Sequence, residues 1–224
     1  MNFLSHFYFD RHIADPHQVI GMVLPDLLKN ARKDWSLRPE KYEDEYSDQV
    51  LLNIYAGWKR HIEVDKYFHC SDFFMEHTKH LRLAIAAFLD DSPARAFFVA
   101  HIALELMLDS LLLTENLIET ERLYSHLKKI EAPALTRFFQ INQIDDPQRF
   151  FRFLEEFIKS RYLESYRDPA QIVYALNRIC MRIWDEPFNE THKLQLKTVV
   201  IVYLEVLRPQ FLVIFKQIEQ KLTM

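Results

Sequence analysis

The chain has 224 residues, 49% hydrophobic and 14% aromatic, with 28 basic against 32 acidic side chains and a formal charge of −4. That length and apolar content suit one globular domain and exclude a disordered or fibrous chain, and the charge gives no long-range attraction to nucleic acid or a membrane surface, so neither is an expected partner. Cys70 and Cys180 are too few for a disulfide framework or a thiolate zinc site, and Met1 to Asp10 lacks a basic then apolar leader, so a cytoplasmic setting is expected.

Two glycines in the whole chain cannot supply the turns and bulges of a sheet-rich fold, which predicts an all-α, single-domain helical bundle over 1–224. In chain order, Met1-Asn2-Phe3-Leu4-Ser5-His6 offers one ionisable group, His6, which by itself reads as a structural histidine. Asp15-Pro16 then has the form of a cap followed by proline at the first helical position, and apolar periodicity predicts a helix over 16–32. Inside it lies Gly21-Met22-Val23-Leu24-Pro25-Asp26. Pro25 lacks an N–H and its ring presses on the carbonyl of Gly21, so the helix is expected to kink there, either exposing Asp26 or merely redirecting the chain. Lys29, Arg32 and Lys33 follow at i, i+3, i+4. They form either a basic docking rim or the usual cations of a helix's last turn.

The acidic run 34–48 reads as a surface connection. The next helix, 47–68, carries Ile54, Gly57, His61 and Asp65 on one stripe. His61 and Asp65 are one turn apart, a spacing that serves one metal ion or a plain structural pair. Glycine in a helix interior costs about 1 kcal/mol against alanine, so Gly57 on that stripe predicts the close approach of another backbone or a ligand.

After a helix over 71–89, Ser92-Pro93 predicts a start at Pro93 running to Leu113. His101, Glu105 and Asp109 interrupt this apolar stretch at i, i+4, i+8, where a carboxylate needs a partner. His101 and Glu105 stay adjacent and read as a site, the alternative being that His101 is a satisfied core histidine; Asp109 drifts to its edge and reads as a group facing water or an arginine. Helices follow at 115–130, 132–140, 147–160 and 169–184, the last two after the caps Asp146 and Asp168. Arg178 and Arg182 share a face, for docking or for pairing with glutamates of the final helix. That final helix is expected to run unbroken over 190–222; its stretch Thr198 to Phe215 comes nearest to a membrane span but contains Glu205, Arg208 and Pro209, and so reads as buried helix.

These pieces together resemble the acyl carrier protein phosphodiesterase family, a helical group distantly similar to HD-type phosphohydrolases. The matching residues are Asn2 to His6, Gly21 to Asp26, Gly57-Trp58-Lys59-Arg60-His61-Ile62-Glu63-Val64-Asp65, His101, and Tyr162 to Tyr166 followed by Ile172, Leu176, Arg178 and Arg182. They keep family order up to about residue 183, and the tail beyond about Thr191 is longer than the family leads one to expect. Two departures stand out: the family's Gly-Asn is here Gly21-Met22, and its Asp-His is Ala100-His101, with Glu105 one turn on as the substitute carboxylate.

The resemblance implies a metal-dependent hydrolase that releases 4′-phosphopantetheine from holo acyl carrier protein, an acidic partner. It implies Mn2+ as cofactor, with Mg2+ or Fe2+ also suited to imidazole and carboxylate ligands without thiolate. Asp26, His61, Asp65, His101 and Glu105 are the implied metal ligands, and His6 a further ligand or proton-transfer group. Lys29, Arg32, Lys33, Arg178 and Arg182 are the implied substrate-binding cations. The alternatives are a hydrolase of the same fold acting on another phosphoester or nucleotide, and a non-catalytic helical interaction protein.

Overall fold

A computed structural model describes residues 1–223. The protein is all-α: 74% is helical, with no strand among the described residues. The helices are α1 (Phe3–Phe9), α2 (Pro16–Ala31), α3 (Gln49–His69), α4 (Asp72–Ala86), α5 (Ala96–Thr114), α6 (Thr120–Lys128), α7 (Ala132–Ile141), α8 (Pro147–Ser160), α9 (Pro169–Cys180), α10 (Glu190–Leu207) and α11 (Leu212–Leu222), with 3-10 turns at Pro39–Glu45 and Tyr162–Arg167.

Three of the four proline-marked starts form as expected. Asp15 accepts from the N–H groups of His17 and Gln18, Asp146 from Arg149 and Asp168 from Ala170, so each carboxylate satisfies amides that have no intrahelical partner. The fourth does not: α5 begins at Ala96 behind Arg95, and Ser92 instead donates its hydroxyl to the Pro187 carbonyl while accepting from Ala94 N–H. The helix expected over 115–130 is shortened to α6, with Asn116 in the left-handed region just after α5. The acidic connection is not wholly on the surface either: it coils into the 3-10 turn, with Trp35, Leu37 and Tyr46 buried.

The chain forms two compact units by its contacts: His6–Asp65 with Ile118–Tyr162, and Met1–Ser5 with Lys66–Leu117 and the chain from Leu163 onward. In the first, α2 packs on α6 and α8. Its stripe Val19, Ile20, Val23, Leu24, Leu27 is fully buried, and α8 answers with Phe150, Leu154 and Phe157 at helical spacing. In the second, α5 is the hub, in contact with α4, α9 and α10. It is long and apolar enough to span a membrane, yet 72% of its apolar window is buried against protein, as expected of a core helix.

The final helix departs most from expectation. It breaks after Leu207, and α11 leaves at 62° to α10. Pro209 explains this, since it cannot donate to the ladder and its ring meets the carbonyl four residues back, that of Glu205. Nor is α10 buried helix throughout, for Leu194, Ile201, Val202 and Val206 are exposed.

Candidate functional site

Two triads of histidine and carboxylate could each hold a metal ion, one in each unit. The first begins from the two glycines. A Cβ on Gly21 would lie 2.0 Å from the Ile54 carbonyl oxygen, and one on Gly57 would lie 2.1 Å from that of Gln18. Here α2 and α3 touch backbone to backbone, which only glycine permits; the close approach expected from Gly57 is that of another helix.

This contact brings the Met22 carbonyl within 2.7 Å of His61 Nδ1, which donates to it. The tautomer is thereby fixed, and Nε2 is left as the free donor atom, as a carbonyl does for a ligating histidine. His61 Nε2 lies 3.6 Å from Asp65 Oδ2, and His6 Nε2 lies 3.2 Å from Asp65 Oδ1. The His6 and His61 rings stack at 3.7 Å, 15° from parallel.

Burial, and then the neighbouring His6, hold the His61 imidazole well below its ordinary range, so it is neutral and able to ligate at pH 7. Asp65 is half-buried, which taken alone would raise it; positive and hydrogen-bonding neighbours, His6 and His61 among them, outweigh that and keep it ionised.

The second triad is built on α5 and the end of α3. His101 and Glu105 are one turn apart on α5, with His101 Nε2 at 3.0 Å from Glu105 Oε1. His69, the last residue of α3, brings its Nε2 to 3.0 Å from His101 Nε2 and 3.3 Å from Glu105 Oε1. Metal bonds of about 2.1 Å set neighbouring donors about 3.0 Å apart at right angles and about 3.4 Å apart at the tetrahedral angle. A triangle of two imidazole nitrogens and a carboxylate oxygen with these edges therefore fits one divalent ion. It suits manganese, magnesium or iron, having no thiolate.

Phe74 of α4 stands edge-on to both imidazoles, with ring centres 4.9 and 5.0 Å away, and fixes their orientation. Burial would raise the Glu105 carboxyl, but the Met1 amine at 3.0 Å and the two histidines hold it well below its usual range, so the triad keeps its negative charge.

Of the residues singled out in the sequence, His6, His61 and Asp65 meet in one triad, and His101 and Glu105 in the other. Asp26 is half-buried on α2, its backbone carbonyl accepting from Asn30, and it belongs to neither triad. Helix α2 continues through Pro25 and ends at Ala31, so Lys29, Arg32 and Lys33 do not share one helical face. Arg32 is engaged by Asp34 at 2.9 Å and Asp145 at 2.8 Å, while Lys29 and Lys33 are exposed. Arg178 is in the last turn of α9 and Arg182 lies past its end at Cys180, so these two share no helix.

Asp109 neither faces water nor pairs with an arginine. It is fully buried and accepts from Leu4 N–H, Ser5 N–H and the Ser5 hydroxyl, capping the first turn of α1. His69 was not foreseen, although its signal was present: it continues the i, i+4 series of His61 and Asp65, one residue beyond the expected helix end.

A family model described as acyl carrier protein phosphodiesterase matches residues 1–218. The match includes the tail beyond Thr191, which the motifs alone had left outside. No curated protein and no solved structure matches the chain.

Proposed function

The chain belongs to the acyl carrier protein phosphodiesterase family and is a hydrolase of phosphodiester bonds; from that premise we propose that it cleaves holo acyl carrier protein, with a divalent ion such as manganese held by the open triad of His69, His101 and Glu105. Water adds to phosphorus, the bond from phosphorus to the carrier's serine oxygen breaks, and 4′-phosphopantetheine and apo carrier protein are released. The observation that carries the metal reading is the donor triangle with edges of 3.0 to 3.3 Å, at the edge of a cleft of about 340 Å³.

When bound, the ion supplies Lewis acidity, lowering the pKa of a water and neutralising charge on the phosphoryl oxygens. The protein's part is preorganisation. Glu105, kept ionised, contributes the negative charge that draws a cation. His69 and His101 present their Nε2 atoms to the same point, and the Phe74 ring packs edge-on against both. His6, His61 and Asp65 form a second seat of the same donor chemistry, with His61 preset by the Met22 carbonyl. The free thiols of Cys70 and Cys180 are in keeping with a cytoplasmic enzyme.

The test is mass spectrometry of holo acyl carrier protein incubated with the purified protein and manganese. The expected result is loss of the phosphopantetheinyl mass from the carrier and appearance of free phosphopantetheine, both abolished by chelation. An unchanged carrier mass with manganese present would exclude this substrate. Cleavage of other phosphodiesters in the same preparation would then mark a related hydrolase.

A further inference from the structure

The cleft beside His101 lies between α4 and α5 and has two unlike walls. On α4, Met75, Lys79 and Arg82 succeed one another at helical spacing; on α5, Phe97 and His101 are one turn apart. The Phe74 ring packs on His101 at 5.0 Å, which fixes the triad at one end, while Arg82 is eight residues along α4 from Phe74, about 12 Å of rise. The two cations thus line the path away from the triad.

Lys79 and Arg82 are both exposed, and neither makes an ion pair with any described residue. Arg32, Arg60, Arg137, Arg161 and Arg208, by contrast, each have a carboxylate within 4 Å and are less available to a partner. Phe97 is 64% and Met75 53% exposed, so large apolar side chains are offered to solvent beside the free charges. Apolar side chains rimmed by charge of one sign are the mark of a surface that receives a partner.

We infer that this cleft is the docking surface for the carrier protein itself, with Lys79 and Arg82 pairing with acidic side chains of that partner and Phe97 and Met75 covering apolar surface between them. The inference rests on the carrier protein being the substrate. Distance sets the division of labour: the phosphoryl group belongs at the triad, and cations up to two turns further along α4 meet negative charge on the protein that carries it. A chain of net charge −4 gains electrostatic steering toward an acidic partner only from such a local patch.

The decisive measurement is binding of fluorescently labelled holo acyl carrier protein to the full-length protein without added metal, read by anisotropy. The double variant Lys79→Glu/Arg82→Glu is expected to weaken binding at least about tenfold and to flatten the salt dependence seen for the wild type. The same change of charge at exposed positions at the end of α6, Lys128→Glu/Lys129→Glu, is expected to leave affinity within about twofold. Phe97→Ala, which leaves the charge untouched, should also weaken binding, about fivefold or more.

Affinity of the α4 double variant equal to that of the wild type, or no binding by the wild type, overturns the inference. Turnover is read separately. A wild type that binds the carrier but releases no phosphopantetheine with manganese counts against the proposed reaction and leaves the docking surface standing. With turnover present, the double variant should raise KM for the carrier about tenfold while kcat changes far less.

Discussion

The two triads share one construction and differ in what surrounds it. In each, a histidine and a carboxylate stand one turn apart on a helix, and a second histidine arrives from another segment: His6 joins His61 and Asp65, and His69 joins His101 and Glu105. In the first triad the imidazoles are buried, His61 at 4% and His6 completely, and the carboxylate of Asp65 is 32% exposed; in the second the order is reversed, with His101 34% exposed beside a cleft and Glu105 buried at 11%. Identical donor chemistry therefore has two energetic meanings. In the first, sealed around its imidazoles, those rings are part of the core and their loss must cost stability; in the second, open at His101, that histidine can be reached by a substrate and removed at little cost to folding, while Glu105 is the buried, ion-paired member.

The largest expected effect breaks that contrast directly. Glu105→Gln keeps size but removes the charge that attracts a cation, and should lower kcat for carrier cleavage on the order of 10³-fold in protein that still folds, with a lowered denaturation midpoint because the buried carboxylate loses its pairing with the Met1 amine. His61→Ala should instead lower stability by about 3 kcal/mol, since it opens a cavity and leaves the Met22 carbonyl without its donor. Turnover assays and urea denaturation of the two variants separate the cases. Full activity in Glu105→Gln, with a folded but inactive His61→Ala, would make the sealed triad the reacting one.

How far this was legible in the sequence follows from which contacts are local. The pairs His61 with Asp65 and His101 with Glu105 are one helical turn apart, so spacing alone put each pair on one face. The third member of each triad comes from a segment whose meeting with the pair depends on packing, and no local rule supplies that: His6 carried no signal of its own. His69 was within reach of the helical series and was missed because the helix was ended one residue early. The same limit explains Asp109, whose partners lie more than a hundred residues earlier in the chain. The break at Pro209 was local and readable, and should have been read as ending a helix.

Asp109 sharpens the comparison from within α5. One turn past Glu105, it has the opposite charge preference: burial pushes its carboxyl from 3.8 up to about 7, despite three hydrogen bonds from Leu4 and Ser5. An acid whose pKa rises on folding favours the folded state fully below its unfolded pKa, and loses that contribution as pH climbs through its folded value. The window is therefore pH 4 to 7, and the limit for a shift of that size is about 4 kcal/mol. Buried His61, His77 and His126, all held below their ordinary range, act in the reverse sense and are lost as pH falls, so the wild-type profile is a mixture. Subtracting the profile of Asp109→Asn removes them. The variant should gain on the wild type steadily from pH 4 to 7 and run parallel above pH 8; parallel curves throughout would mean Asp109 is ionised in the fold.

The smallest effect tests why the sealed triad can form at all. With two glycines in the chain, both placed where α2 meets α3, the sequence spends its whole supply on one crossing. Alanine at position 57 would ordinarily favour a helix by about 1 kcal/mol. Here its Cβ would meet the Gln18 carbonyl oxygen at 2.1 Å and the Met22 amide nitrogen at 2.7 Å, both backbone atoms that cannot rotate aside. The helices must separate, and overpacking of this kind costs about 1 to 3 kcal/mol. The net expectation for Gly57→Ala is a loss of about 1 kcal/mol in urea denaturation. Separation also draws the Met22 carbonyl away from His61, so the Nδ1 proton should exchange faster by NMR. A variant as stable as the wild type, with that proton undisturbed, would show that the crossing yields freely and that the tautomer of His61 is set by something other than the contact of these two helices.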